Sequence, residues 1–218
     1  MINDFFKKYK NRHINKTAVL FGAGPSLDLY NPNQITSDIT IGTNFIGNHK
    51  LFNQKSDNYI LLDYYFFGDR NRHMEADYKV KHSKFCACEV DGNPHPLHLS
   101  IEEAKDLGAI PMGVKNTNQE FAEDISTTPT HGGSVVFHAL NFLFYCGVSK
   151  IYIVACDCSG NTCFNDVLGI NGAENGYEPY INSWKKVNDY VESKMDIELV
   201  SVNPVGLKGL FKDVYTYK

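Results

Sequence analysis

Two glycines, a proline and a serine interrupt the first apolar run of the chain, in "TAVLFGAGPSL" at residues 17–27. Gly22 and Gly24 lack a Cβ, so a phosphate or a ribose could approach the backbone closely. Pro25 suits a helix start because no amide donor is wasted there, and Ser26 can cap that helix. The amides that follow would face an anion. The turn predicts a site for a phosphorylated ligand, although a tight strand-to-helix turn without a ligand would also use these residues.

Polar side chains follow three other apolar runs. Asn44 follows "ITIGT", Asp63 follows "YILL" and Asp157 ends "KIYIVACD". In an open parallel sheet, ligands bind outside the carboxyl ends of the strands. An amide there can bind a nucleobase or ribose, and carboxylates can bind ribose hydroxyls, hold a divalent ion or take a proton. An Asx turn at Asn44 and helix caps at the two aspartates are the alternatives.

A second glycine-rich helix entrance is "THGGS" at residues 130–134. Gly132, Gly133 and Ser134 would face the same end of the sheet as the first turn. His131 can titrate near neutral pH, so it is the histidine best placed for acid or base chemistry, whereas His138 is expected in the core. We expect the two glycine-rich corners to converge on one hollow that holds a charged mononucleotide.

Five short apolar runs, at residues 17–21, 39–43, 59–62, 150–155 and 197–202, supply the strands for these side chains. They do not alternate, which is typical of strands covered by helices on both faces of a parallel sheet. Helices are predicted at 134–146, apolar nearly all round, at 180–194, with one apolar side, and at 100–107, with a capping box. The order indicates an α/β fold with a doubly wound, mainly parallel, Rossmann-like sheet.

The 218 residues are expected to form one domain, 1–218. Residues 91–130 depart from the strand–helix pattern and are predicted to be an insertion. Residues 158–179 hold four glycines and four asparagines without periodicity, so they are predicted to be a flexible lid loop over the site.

Charge and hydropathy exclude some functions. Lys and Arg total 21 against 25 Asp and Glu, so a nucleic-acid polymer is not an expected partner. Neither a membrane-spanning run nor a signal peptide is evident, and the protein is expected to be cytoplasmic. Residues 1–13 mix aromatic and basic side chains, which suits a helix packed on the domain or, alternatively, peripheral contact with an anionic membrane.

Six cysteines occur, partly as C-x-C pairs. Their spacing fits neither a zinc knuckle nor a disulfide framework, so we expect reduced thiols used as small apolar side chains. A metal site through Cys156, Cys158 and Cys163 is the alternative, and no metal ligand is assigned.

Taken in order, several segments resemble those of small bacterial sialyltransferases that use a CMP-activated sugar, and of the related archaeal hydroxymethylpterin diphosphokinase-like proteins. The segments are "GAGPSL" at 22–27, "GTNF" at 42–45, "HGGSVVFHALNFLFYCG" at 131–147, "KIYIVACD" at 150–157 and "SVNPVGL" at 201–207. Residues 64–128 are left unmatched. The resemblance implies a sialyltransferase-like fold in which residues 22–26 lie along the nucleotide phosphates, Asn44 contacts the nucleotide, residues 132–134 line the donor pocket and Asp157 lies near the base or ribose.

In those sialyltransferases a histidine in the loop after the last matched aspartate is the general base, and nearby tyrosines bind the departing phosphate. Here that loop reads "NGYEPYINSW", and no histidine follows His138. Tyr177 and Tyr180 fit the phosphate role, but a phenol with a pKa of about 10 is a poor base at neutral pH. Deprotonation would fall to one of four other side chains: His131, Asp157, Asp166 or Glu178.

The resemblance thus implies a glycosyltransferase that moves a sugar from a nucleotide-activated donor, with a CMP-sugar favoured, to a glycan hydroxyl without a required cofactor. One alternative is a Mg²⁺-dependent diphosphokinase acting on a pterin-like alcohol, with Asp63 and Asp157 holding the ion. The other is a nucleotide-binding protein without catalysis.

Overall fold

The computed structural model describes residues 4–44, 46, 49, 51–52, 65–68, 83–89, 99–115, 121–128, 130–131, 134–159 and 177–216. For residues 65–68 and for six others the backbone alone is described: Ala87, Glu89, Lys115, Thr130, His131 and Tyr177.

Within these residues, nine parallel strands form one sheet in the order β6-β5-β4-β3-β2-β1-β7-β8-β9. The strands are β1 (Thr17–Phe21), β2 (Ile39–Thr43), β3 (Tyr65–Gly68), β4 (Ser83–Glu89), β5 (Ile110–Lys115), β6 (Thr130–His131), β7 (Lys150–Val154), β8 (Glu198–Val202) and β9 (Lys212–Val214). The helices are α1 (Ile101–Asp106), α2 (Val135–Tyr145) and α3 (Tyr177–Lys194), with 3₁₀ turns at Asp4–Tyr9, Pro25–Leu29 and Pro32–Gln34. The predicted α/β fold with a mainly parallel sheet is confirmed.

Most of the predicted elements form close to their expected bounds. Four of the five predicted strands correspond to β1, β2, β7 and β8, and the fifth, at 59–62, lies outside the described residues. Ser134 and Cys146 cap the two ends of α2, which agrees with the predicted range. Ser100 and Glu103 make both hydrogen bonds of the predicted capping box at the start of α1.

The central strands are buried on both faces. Ala18 and Leu20 of β1 belong to a core formed with α2 and α3. Val19 and Phe21 point the other way, into a second core that contains Leu27. Because successive side chains of a strand face opposite sides of the sheet, a five-residue apolar run serves both cores.

The amino-terminal segment packs against the domain. Phe6 and Tyr9 are buried, and the Phe6 ring centroid lies 5.4 Å from that of Phe85. The backbone amides of Asn11, His13 and Asn15 donate to the carbonyls of residues 145, 146 and 147 at 2.8–3.3 Å, so this segment satisfies the end of α2. The segment therefore packs on the domain, which was the first of the two predicted alternatives. The rings of Phe6 and Tyr9 belong to the core. Among the described helices, none combines the length and the apolar character needed to cross a membrane.

The two unusual segments are described in part. Within residues 91–130, α1 and β5 are described, and β5 pairs with β4, so this part extends the sheet itself. Of the predicted lid at 158–179, residues 160–176 lie outside the described residues, and residues 177–179 are helical, at the start of α3. The five described cysteines are free thiols, of which Cys86, Cys88 and Cys146 are buried, as expected for small apolar side chains; Cys163 is not among the described residues.

Candidate functional site

The order of the strands makes the chain connections diverge at the carboxyl ends of β1 and β7, and we call this place the crevice. These strands are neighbours, with Phe21 opposite Val154 at their carboxyl ends. The chain leaves β1 toward β2 on one side and leaves β7 toward β8 on the other. Ligands of open α/β sheets bind where such connections diverge. Residues 22–26, which follow β1, and residues 155–158, which follow β7, form the two sides of this crevice.

The two glycines after β1 allow the two sides to touch. The Gly24 amide donates to the Ala155 carbonyl at 2.8 Å. A Cβ on Gly22 would lie 2.5 Å from the Ala155 oxygen, and a Cβ on Gly24 would lie 2.5 Å from the Asp157 Cγ. Any larger residue would therefore clash with the chain after β7. Close packing of two chain segments gives a reason for both glycines that requires no ligand.

Asp157 occupies the anion position at the start of the 3₁₀ turn Pro25–Leu29. Its side chain is buried, its Oδ2 accepts the Ser26 amide hydrogen at 2.8 Å, and its Oδ1 accepts the Ser26 hydroxyl. The sequence predicted that this amide would face a ligand phosphate. In the structure an internal carboxylate takes that place, so a phosphate beside it would meet a like charge. The residue at the cap position is also Gly24 and not Ser26, while Pro25 occupies the first turn as predicted.

Burial sets the protonation of the groups along the second side. It raises the pKa of Asp157, and the two hydrogen bonds from Ser26 oppose this only in part. Burial also raises the pKa of Cys158 to about 11 and that of Cys156 well above its ordinary value, so both are neutral thiols near pH 7. The Asp157 carboxyl therefore holds a proton more readily than an exposed aspartate does.

The turn after β7 has an uncommon backbone. Ala155 and Cys158 adopt left-handed conformations, with φ of 56° and 47°. The Gly206 amide, from the loop after β8, donates to the Asp157 carbonyl at 2.7 Å. Left-handed conformations of residues other than glycine are costly and cluster at functional sites. The surrounding contacts hold Asp157 in one orientation.

Asn44 lies beside the glycine turn, at the end of β2. The Thr43 hydroxyl donates to the Phe21 carbonyl at 2.9 Å, which fixes the end of β2 against the end of β1. Asn44 itself is left-handed, with φ of 47°. Its Oδ1 is buried and has no hydrogen-bond donor within the part of the chain that the structure describes. A buried acceptor without a donor is costly, which makes this atom a candidate ligand contact.

The middle of α3 contacts residue 158 through Trp184. A hydrogen bond from Trp184 lowers the pKa of the Cys158 thiol, partly against the effect of burial. Tyr180 lies one turn before Trp184 on the same side of α3 and is 42% exposed. Tyr177 begins the helix, and only its backbone is described. Both tyrosines thus precede the helical turn that contacts the second side of the crevice.

His131 does not lie at this crevice. It belongs to β6, the outermost strand, five strand positions from β1. At about 4.8 Å per strand, this separation amounts to roughly 24 Å. The expected convergence of the two glycine-rich corners and the expected role of His131 as a base both conflict with this separation, because one corner follows β6 and the other follows β1. Ser134 caps α2, since its Oγ accepts the Val136 amide at 3.4 Å. Four other predicted site residues lie outside the described residues: Asp63, Gly132, Gly133 and Asp166.

Comparison of the chain with models of protein families, with curated proteins and with solved structures finds no match. The resemblance to sialyltransferases stays a prediction.

Two groups beside the crevice were not predicted as site residues. Gly206 supports Asp157 through its backbone amide; it lies within the segment "SVNPVGL" of the resemblance, which assigned it no role. His49 is buried, with its Nε2 3.3 Å from the Asp28 Oδ1 and its Nδ1 accepting the Leu51 amide. His49 joins the segment after β2 to the turn after β1. The sequence pattern did not identify it, because it does not follow a strand directly.

Proposed function

We propose that the protein is a nucleotide-dependent glycosyltransferase that transfers a sugar, from a CMP-sugar by preference, to a hydroxyl of a glycan acceptor. The observation that supports this most is the buried Oδ1 of Asn44, which finds no hydrogen-bond donor among the described residues and lies beside the crevice between β1 and β7. A cytosine amino group or a ribose hydroxyl is a donor of the kind that this oxygen lacks.

The charges at the crevice determine which way the nucleotide lies. The Asp157 carboxyl already accepts both donors of Ser26, so residues 22–26 are a poor place for a phosphate. We place the base or ribose on this side, near Asn44 and Asp157, and the phosphate toward the start of α3. The phenols of Tyr177 and Tyr180 would donate to the phosphate oxygens there.

The proposed reaction is a direct displacement. The acceptor oxygen attacks the anomeric carbon, the bond from that carbon to the phosphate oxygen breaks, and CMP leaves with the electron pair. A base takes the proton of the acceptor hydroxyl. With His131 far from the crevice, Glu178 and Asp157 are the described side chains that remain from the predicted set of bases. Glu178 is exposed in the first turn of α3, one residue after Tyr177.

Thermal unfolding with added nucleotides tests this proposal. A ligand that binds only the folded state at about 100 times its Kd stabilises the protein by about 2.7 kcal/mol. We expect CMP to raise the melting temperature more than CDP, UDP or ATP do, with no need for Mg²⁺. A shift with ATP that depends on Mg²⁺ would favour the diphosphokinase alternative. Absence of any shift would count against nucleotide binding altogether, and CMP binding without release of CMP from a CMP-sugar would indicate a protein without catalysis.

Replacement of Asn44 by glycine separates binding from stability. Glycine accepts the left-handed backbone and removes the unpartnered oxygen, so the free energy of unfolding without ligand is expected to stay equal or to rise by about 1 kcal/mol. The affinity for CMP should fall by about tenfold, because one hydrogen bond to the ligand is lost. Calorimetric titration measures the affinity, and urea unfolding measures the stability.

The matched control is Asn15→Gly. Asn15 is also left-handed, with φ of 59°, but it lies at the amino ends of the strands. This control should leave the CMP affinity unchanged. Equal losses of affinity in the two variants would contradict a role of the Asn44 side chain in binding. A large loss of stability in Asn44→Gly would contradict an Oδ1 without an internal donor.

A further inference from the structure

Thr216, close to the end of the described chain, joins two loops from the interior. It is 1% exposed. The Asn203 Nδ2 donates to the Thr216 carbonyl at 3.1 Å and to the Thr216 Oγ1 at 3.0 Å. In return, the Thr216 amide donates to the Asn203 Oδ1 at 2.8 Å. The Asn31 amide donates to the same Oγ1 at 3.2 Å. We call these three residues the Thr216 node.

Each loop of the node leads to Asp157. Asn203 directly follows β8, and three residues later the Gly206 amide donates to the Asp157 carbonyl. A Cβ on Gly206 would lie 2.7 Å from that carbonyl oxygen, so the loop is packed tightly against it. Asn31 follows the turn that carries Ser26, whose amide and hydroxyl bind the Asp157 carboxylate. The node thus connects the segment that holds the backbone of Asp157 with the segment that holds its side chain.

The buried hydroxyl of Thr216 is the atom at which both segments meet. Its oxygen accepts from a side chain of one segment and from a backbone amide of the other. Valine has nearly the same shape but no acceptor, so it would leave the half-buried Asn31 amide without this partner. Serine keeps the oxygen and loses only a methyl group.

We propose that Thr216 is a positioning residue, which holds the two segments around Asp157 in the geometry that nucleotide binding requires. This proposal rests on the nucleotide-binding function proposed above. It assigns a role in the site to the segment that follows β9.

Amide hydrogen exchange measured by NMR tests the positioning without any ligand. In Thr216→Val we expect the amides of Ser26 and Gly206 to exchange about tenfold faster than in the wild type, because local opening around Asp157 becomes easier. Amides in the middle of β1 and α2 should keep their rates. Thr216→Ser should restore slow exchange at both positions. The matched control is Thr127→Val, at an exposed threonine that also makes a hydrogen bond.

Titration of the same variants with CMP tests the link to binding. We expect Thr216→Val to weaken CMP binding about tenfold, with recovery in Thr216→Ser and no change in Thr127→Val. Unchanged exchange at Ser26 and Gly206 would overturn the positioning role, and faster exchange with unchanged CMP affinity would overturn its link to binding. If the wild type binds no nucleotide while exchange at the two amides accelerates, the positioning of Asp157 is supported and the proposed function fails.

Discussion

Gly24→Ala is expected to cost about 3 kcal/mol of the free energy of unfolding and to abolish nucleotide binding. The new Cβ would lie 2.5 Å from the Asp157 Cγ and 2.8 Å from the Ala155 oxygen, distances that real Cβ atoms do not show. Either the carboxyl group moves and loses its bonds to Ser26, or the strand ends separate. Urea unfolding and calorimetric titration with CMP measure the two effects.

Gly108→Ala is the matched control for this substitution. Gly108 has a left-handed backbone with φ of 68°, but a Cβ there would meet no atom within 4 Å. Its cost should therefore be the conformational cost alone, about 1 kcal/mol, with CMP affinity unchanged. Equal destabilisation by the two substitutions would show that the contact between Gly24 and Asp157 is not tight.

Asp157→Ala is expected to weaken CMP binding by at least about a hundredfold and to destabilise the protein by about 2 kcal/mol at pH 7. The substitution leaves the buried amide and hydroxyl of Ser26 without their acceptors. Removal of a buried charge offsets part of this cost. Because the space beside Gly24 opens at the same time, Gly24→Ala should cost less in the Asp157→Ala background than in the wild type. Additive costs in the double variant would contradict the contact.

Asp157→Asn is the control that removes the charge: its amide oxygen can accept the hydrogen of the Ser26 amide, and its NH₂ group can donate to the Ser26 hydroxyl oxygen. Burial raises the pKa of Asp157 in the folded protein above its unfolded value, so the folded state binds this proton more tightly. The stability of the wild type relative to Asp157→Asn should therefore fall as the pH rises from about 4 through the raised pKa, and should stay level above it.

Other carboxyl groups change the stability with pH in the opposite direction, but their effects cancel when the wild type and Asp157→Asn are compared. The pKa values of Asp38 and Glu198 are lowered, mainly by a hydrogen bond from the Thr17 amide and by one from Lys150 respectively, so their contributions are lost as the pH falls. They occur in both proteins. Urea unfolding of the wild type and Asp157→Asn between pH 3.5 and 7.5 isolates Asp157, and a difference that does not change with pH would contradict a raised pKa.

The sequence was sufficient for the elements that depend on local patterns. The apolar run at 17–21 predicted β1, and Ser134 and Cys146 marked the ends of α2, because caps and burial on both faces leave signals within a few residues. The capping box at Ser100 and Glu103 was likewise visible in the sequence and forms in the structure. Asn44 and Asp157 were identified as polar residues at strand ends, and both lie at the carboxyl edge of the sheet.

What surrounds those residues depended on the tertiary structure. His131 looked well placed because it precedes a glycine-rich helix start, but the order of the strands puts β6 five positions from β1. Strand order is set by contacts between residues distant in the chain, which no local pattern encodes. The Ser26 amide looked free for a phosphate, yet it binds a carboxylate 131 residues later.

The sequence by itself therefore determined the α/β class, the parallel sheet and the chemical character of the residues at the ends of its strands, since periodicity and local hydrogen bonding settle these. The tertiary structure alone decided which of these residues meet. It brought Asp157 to Ser26, joined Thr216 to Asn203 and Asn31, and separated His131 from them, because packing brings together residues whose sequence separation carries no signal.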